Sequence, residues 1–124
     1  MESIGLVIVS HSKHIAEGVV ELISKVAKDV PITYVGGTEG GGIGTRFDQV
    51  DRVVSENPAD TLLAFFDLGS AKMNLKMVTD FSDKSIIINR VPIVEGAYNA
   101  AALLQAGAEL SVIQTQLAEL EINK

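Results

Sequence analysis

Four short runs dominated by apolar residues, Ile4–Val9 (IGLVIV), Ile32–Val35 (ITYV), Thr61–Phe66 (TLLAFF) and Ser85–Asn89 (SIIIN), punctuate a chain of 124 residues. An alternating strand leaves one face to water, whereas an unbroken run of Val, Ile, Leu and Phe has to be covered on both faces. That condition is met in a parallel sheet sandwiched between helices. The intervening segments supply the helices. Ile15, Val19, Leu22, Ile23 and Val26 fall on one helical stripe, with Ser12 placed to cap it and Pro31 to stop it. Thr45 is expected to cap a second helix that buries Phe47, Val50, Val53 and Val54 and ends at Asn57-Pro58. Met73, Leu75, Met77, Val78 and Phe81 make a third, less regular helical stretch. The alanine-rich segment from Glu95 to Gly107, with Tyr98, Ala102, Leu103 and Ala106 on one side, makes a fourth that stops at a C′ glycine. Ser111–Leu120 adds a last helix. The order β-α-β-α-β-α-β-α-α predicts a three-layer α/β/α open sheet forming one domain over residues 1–124.

Composition narrows the function classes. Lys plus Arg number 10 against 16 Asp plus Glu, and the net charge of −6 has the wrong sign for a nucleic-acid backbone or an anionic membrane. With no cysteine there is no disulfide, no thiolate nucleophile and no cysteine-ligated metal, and a reducing cytoplasm is the expected compartment. The start of the chain, Met1 to Val9, carries an acid where a signal peptide has a basic region, and its apolar run is far short of a membrane span. A soluble cytoplasmic protein is expected.

In open parallel sheets ligands bind beyond the carboxyl ends of the strands. The residues that follow the four runs are Ser10-His11-Ser12-Lys13-His14, the loop Gly36–Gly44, Asp67-Leu68-Gly69-Ser70, and Asn89-Arg90-Val91-Pro92. His11 falls on that rim just before a helix. A neutral imidazole can attack phosphorus near neutral pH, a helix N-terminus stabilises an attached phosphoryl group, and Asp67 could hold the other ring nitrogen. Position alone favours His11 as a loop residue or a helix cap. His14 reads as a solvated residue of the first helical turn. His11-x-x-His14 could be half a metal site only if carboxylates completed it, and no metal is expected. The loop GGTEGGGIG holds six of the 11 glycines in nine residues, yet lacks the lysine of a P-loop and the G-x-G-x-x-G spacing of a dinucleotide site. What remains is either a run of backbone N–H groups able to cradle an anion or a flexible connector. A receiver-type role for Asp67 is disfavoured because no acidic pair follows the first strand to hold magnesium.

Val9-Ser10-His11-Ser12, Gly36–Thr45 (GGTEGGGIGT), Asp67-Leu68-Gly69-Ser70 and Val94-Glu95-Gly96-Ala97, in this order and spacing, resemble the DhaM family. These are phosphoryl-donor subunits of the phosphotransferase-dependent dihydroxyacetone kinases, within the mannose-type EIIA fold family. The resemblance covers nearly the whole chain. It implies that His11 accepts a phosphoryl group from phosphorylated HPr, itself charged from phosphoenolpyruvate through enzyme I. The group then passes to ADP on the DhaL subunit, while DhaK binds dihydroxyacetone. It further implies a mostly parallel sheet, a homodimer, no cofactor, Asp67 beside the imidazole, Gly41, Gly42, Gly44 and Thr45 around the phosphoryl group, and Gly69 and Ser70 completing the rim. The chain departs from the family pattern at Arg46, where a small hydroxylated residue is common. Three rival readings keep the fold. One is a mannose-type sugar-transport EIIA domain that passes the group to a EIIB partner. Another is a non-enzymatic module whose phosphorylation regulates binding, and the last is a flavodoxin-like ligand-binding domain without phosphoryl chemistry.

Overall fold

The two apolar runs with the least polar character occupy the middle of the sheet. In the computed structural model, which describes residues 3–124 and so leaves Met1 and Glu2 of the expected domain outside the description, β1 (Ile4–Ser10) and β3 (Thr61–Phe66) are buried almost throughout. β2 (Ile32–Gly36) and β4 (Ser85–Asn89), whose runs carry polar residues, form the edges. The strand order is β2-β1-β3-β4 and every pairing is parallel.

This order dictates where the helices go. The connection from β1 to β2 runs toward one edge and the connections from β2 to β3 and β3 to β4 run toward the other, so right-handed crossovers put their helices on opposite faces. α1 (Lys13–Ser24) accordingly packs with α4 (Ile93–Gln105) and α5 (Leu110–Ala118) over Leu6, Ile8, Leu63 and Phe65. α2 (Phe47–Glu56) and α3 (Gly69–Phe81) cover Val7, Val9, Leu62, Ala64 and Phe66 on the other face. The expected three-layer α/β/α sheet is what the chain forms. The register sets Val9 level with Val35 on one side and Phe66 on the other, so the residues after β1, β2 and β3 emerge together at one rim.

Several helix faces differ from the periodicity-based expectation. α1 buries Ala16, Val19 and Ile23, while Ile15 and Leu22 face out, because the small Ala16 is what fits against the backbone of Gly36. α4 begins at Ile93 and buries Gly96, Ala97, Ala100 and Ala101 rather than the side bearing Tyr98, Ala102 and Ala106; Leu103 packs only partly against the core. Small residues let this helix lie close to the sheet, where a Cβ on Gly96 would already touch Phe65 at 3.4 Å. α3 starts four residues before Met73. It carries two stripes: Ala71, Leu75 and Val78 point inward and Met73, Met77 and Phe81 outward, which explains its irregular pattern. Thr45 does not cap α2: Arg46 occupies that position without a side-chain cap, and Thr45 Oγ1 instead accepts a bond from Asn74 Nδ2 at 2.7 Å. Phe47 is only partly buried and meets Phe81 edge to face. Ser12 caps α1 as expected, accepting from Ile15 N at 3.3 Å, and Gly107 takes the left-handed conformation just after α4.

Two glycines give opposite predictions. A Cβ on Gly36 would lie 2.7 Å from both Ala16 Cβ and Lys13 Cα, so Gly36→Ala forces α1 off the sheet and costs about 1–3 kcal/mol. Gly18, inside α1 with open space around it, should gain about 0.5–1 kcal/mol on conversion to Ala. Thermal unfolding of the two variants should move the midpoint in opposite directions; a Gly36→Ala variant as stable as the parent would contradict this close packing of α1 on β2.

Candidate active site

Because the chain reverses its direction of travel across the sheet at β1 and β3, the carboxyl ends of these two strands are the switch point at which open parallel sheets bind ligands. His11 follows β1 and Asp67 follows β3, so 56 residues of separation in sequence become direct contact. His11 Nδ1 lies 2.8 Å from Asp67 Oδ1, with the two side chains 14% and 13% exposed.

Asp67 is held on every side. Its Oδ2 accepts from Ser10 Oγ at 2.7 Å and from the His11 main-chain N–H at 2.9 Å, and its Oδ1 accepts from Leu68 N at 2.7 Å as well as from the imidazole. Burial pushes the carboxyl up, but the bonds from Ser10, the His11 amide, the imidazole and the Leu68 amide outweigh it and hold Asp67 below the usual carboxylate range. An ionised carboxylate only accepts, so Nδ1 carries a proton and the ring in its neutral form presents its lone pair at Nε2. There Ser70 Oγ is hydrogen-bonded to it at the exposed end of the ring. Ser70 and Gly69 open the first turn of α3, where Leu68 provides no side-chain cap and Ala71 N donates to Leu68 O at 3.1 Å. The N-terminal end of a 13-residue helix therefore stands beside Nε2.

The glycine loop meets the site through its backbone. Gly37 N donates to Ser10 O at 3.1 Å and Gly44 N to His11 O at 2.9 Å, so both ends of the loop are strapped to the residues after β1. Gly37 and Gly44 have φ of 72° and 143°, which a side chain would strain. Between them Gly41 N donates to Thr38 O and Thr38 N to Gly42 O, closing a small turn. In this arrangement the amides of Gly41 and Gly44 are engaged inside the protein, and Thr45 is engaged with Asn74. Arg46 reaches Asp48 at 3.2 Å in an exposed pair. His14 is exposed in the first turn of α1 and makes no contact with the pair. A cavity of about 610 Å³ lies beyond the loop, lined by Lys13, Tyr34, Gly40, Gly41, Gln49 and Arg52, and neither His11 nor Asp67 lines it. Among the described residues no group of three or more His, Asp or Glu comes together as a metal site, and no helix is long and apolar enough to cross a membrane.

Sequence reasoning placed His11, Asp67, Gly69 and Ser70 on one rim but passed over Ser10 and Lys124. Ser10 had a signal, being a polar residue directly after an apolar run, and the structure buries it. Lys124 had none. Its ammonium donates to Phe66 O at 2.6 Å, directly before Asp67, and only the fold of the last residues brings it there.

Known proteins share this architecture. A family model described as PTS system fructose IIA component, EIIA-man, matches residues 5–114. The chain is 53% identical over 120 residues to the PTS-dependent dihydroxyacetone kinase, phosphotransferase subunit DhaM, of Lactococcus lactis subsp. lactis, covering 97% of this chain and 98% of that one. It is 49% identical over 118 residues to the PEP-dependent dihydroxyacetone kinase 1, phosphoryl donor subunit DhaM, of Listeria innocua, covering 95% of each. A crystal structure of a protein of unknown function superposes with a TM-score of 0.84 at 26% identity, covering 98% of this chain and 97% of that one. With its parallel sheet, its histidine and aspartate at the switch point and these relatives, the chain belongs to the EIIA-man family, among the DhaM phosphoryl-donor subunits of dihydroxyacetone kinases.

Proposed function

We propose that this chain is a histidine phosphocarrier that takes a phosphoryl group on His11 Nε2 from phosphorylated HPr and hands it to ADP held on the DhaL subunit. DhaK, with dihydroxyacetone, is then reached only indirectly. The observation that carries the reading is the Asp67 carboxylate on Nδ1, which turns the lone pair of Nε2 toward the exposed rim. In the first transfer that lone pair attacks phosphorus while the P–N bond to the HPr imidazole breaks and its electrons return to that nitrogen. In the second, a β-phosphate oxygen of ADP attacks, the Nε2–P bond breaks, and ATP leaves with His11 neutral again. The proton on Nδ1 stays with the Asp67 bond throughout, so neither step needs a separate base.

The Ser70 hydroxyl, which rests on the Nε2 lone pair, turns to the phosphoryl oxygens as that lone pair attacks, and the N-terminal end of α3 favours the developing negative charge. Gly44 and its neighbours act first as a strap on the His11 backbone. The Gly41–Thr45 segment closes around the phosphoryl group as its oxygens compete for these amides. In-line transfer depends on such positioning rather than on covalent help from further side chains. The reading includes a homodimer working in the cytoplasm, with phosphoenolpyruvate and enzyme I as the ultimate source of the group.

Three outcomes test it. Intact mass after mixing with enzyme I, HPr and phosphoenolpyruvate should show one acid-labile phosphoryl group on the parent and on His14→Ala, and none on His11→Ala. Addition of DhaL with ADP should remove it; a group that stays, or that leaves only to a EIIB protein, would favour a regulatory or sugar-transport role instead. Asp67→Asn should remain folded yet accept the group on the order of 10²-fold more slowly in single-turnover quench-flow, because its ring is no longer oriented; an unchanged rate removes the orienting role. Stability supplies an independent check. A carboxyl held below its ordinary value contributes stability above the unfolded-state value of about 3.9 and loses it as pH falls through the folded-state value. The stability advantage of the parent over Asp67→Asn should therefore be full at pH 7 and shrink below about pH 4, whereas a gap independent of pH would show that the carboxylate is not preferentially ionised in the fold.

A further inference from the structure

The segment after α5 does not trail into solvent. It crosses the carboxyl ends of β4 and β3, held by Ile122 N donating to Arg90 O at 2.8 Å and by an Arg90–Glu121 ion pair at 3.0 Å. Lys72, in the first turns of α3, donates its ammonium to the main-chain oxygen of Lys124 at 2.8 Å. Lys124 turns inward from this clasp: its Nζ donates to Phe66 O at 2.6 Å and lies 4.4 Å from the centre of the Phe66 ring. Phe66 is the last residue of β3 and its carbonyl belongs to the peptide that leads into Asp67. An ammonium so placed is partly desolvated, which pulls its pKa down, while Asp67 pulls it back up. The two do not form a direct ion pair, and Asp67 answers to burial and its four hydrogen bonds; the lysine reaches its neighbourhood through the Phe66 carbonyl.

Charge arithmetic suggests what the lysine is for. With His11 neutral the site holds one negative charge, on Asp67. A phosphoryl group on His11 would add up to two more within the same site, and the neighbouring Ser10, Ser70 and glycines are all neutral. We propose that Lys124 is a positioning residue of the phosphotransfer site, carried by the C-terminal clasp to supply the fixed positive charge that steadies Asp67 and offsets the charge of phospho-His11. The second half of this inference rests on the phosphocarrier reading above; the first half does not. The cation–π contact with Phe66 and the bond from Lys72 keep the ammonium on station without a direct bridge that would compete with the imidazole for Asp67.

The test compares Lys124→Met with Lys124→Arg in the full chain. Carbon-13 NMR titration of the Asp67 carboxyl needs no phosphoryl donor and should place the midpoint in Lys124→Met above the parent. Lys124→Arg should stay near the parent. The equilibrium constant for exchange with phosphorylated HPr should fall about threefold to tenfold in Lys124→Met and recover in Lys124→Arg, as expected for loss of one charge several ångströms away in a wet site. Identical titration and exchange in Lys124→Met and the parent would overturn the proposal, as would an arginine variant that behaves like the methionine one. If the parent itself takes no group from HPr, the phosphocarrier reading fails, and the Asp67 titration alone then decides whether the lysine steadies the carboxylate.

Discussion

The pair of His11 and Asp67 is the contact around which this structure is arranged. It exists only because two strands far apart in sequence are neighbours at the point where the chain changes direction across its sheet. Neither residue could be fixed by its own loop. Asp67 is clamped by the hydroxyl of Ser10 and by the amides of His11 and Leu68, so the two loops brace each other as well as the ring. Such charge-assisted bonds, at about 1.5–3 kcal/mol each, offset the burial of a carboxylate that would otherwise favour its protonated form.

From this brace the chemistry follows by elimination within one ring. A carboxylate that accepts at Nδ1 leaves the lone pair of the neutral ring on Nε2, and the start of α3 meets that nitrogen with the Ser70 hydroxyl. The proposed phosphotransfer needs no cavity that encloses a small substrate, because Nε2 is at the rim, where another protein can reach it. This is the arrangement a carrier between proteins calls for, and it accords with the EIIA-man family to which the chain belongs.

Much of this was legible in the sequence, for identifiable reasons. Unbroken apolar runs marked the strands, and IGLVIV and TLLAFF, the least polar of them, turned out to be the central pair. The rule that sites lie beyond the carboxyl ends of parallel strands led to His11, Asp67 and Ser70 before any contact was known. Helix faces were harder, because packing against a sheet rewards small residues as much as large ones. Ala16 is buried where Ile15 is exposed, and Gly96, Ala97, Ala100 and Ala101 displace the side bearing Tyr98. Thr45 had the composition of a cap, yet tertiary contact with Asn74 claimed its hydroxyl. Lys124 carried no local signal, since its place depends on a clasp made by Arg90, Glu121 and Lys72 from three separate regions.

Everything proposed for the His11–Asp67 pair turns on which imidazole nitrogen reacts. Long-range proton–nitrogen NMR of the phosphorylated protein, labelled with nitrogen-15 at histidine, reads this directly for His11. The geometry predicts a phosphoryl group on Nε2 with the proton retained on Nδ1 and bonded to Asp67. A phosphoryl group on Nδ1 would require the Asp67 bond to break before transfer, and would contradict the orienting role of the carboxylate.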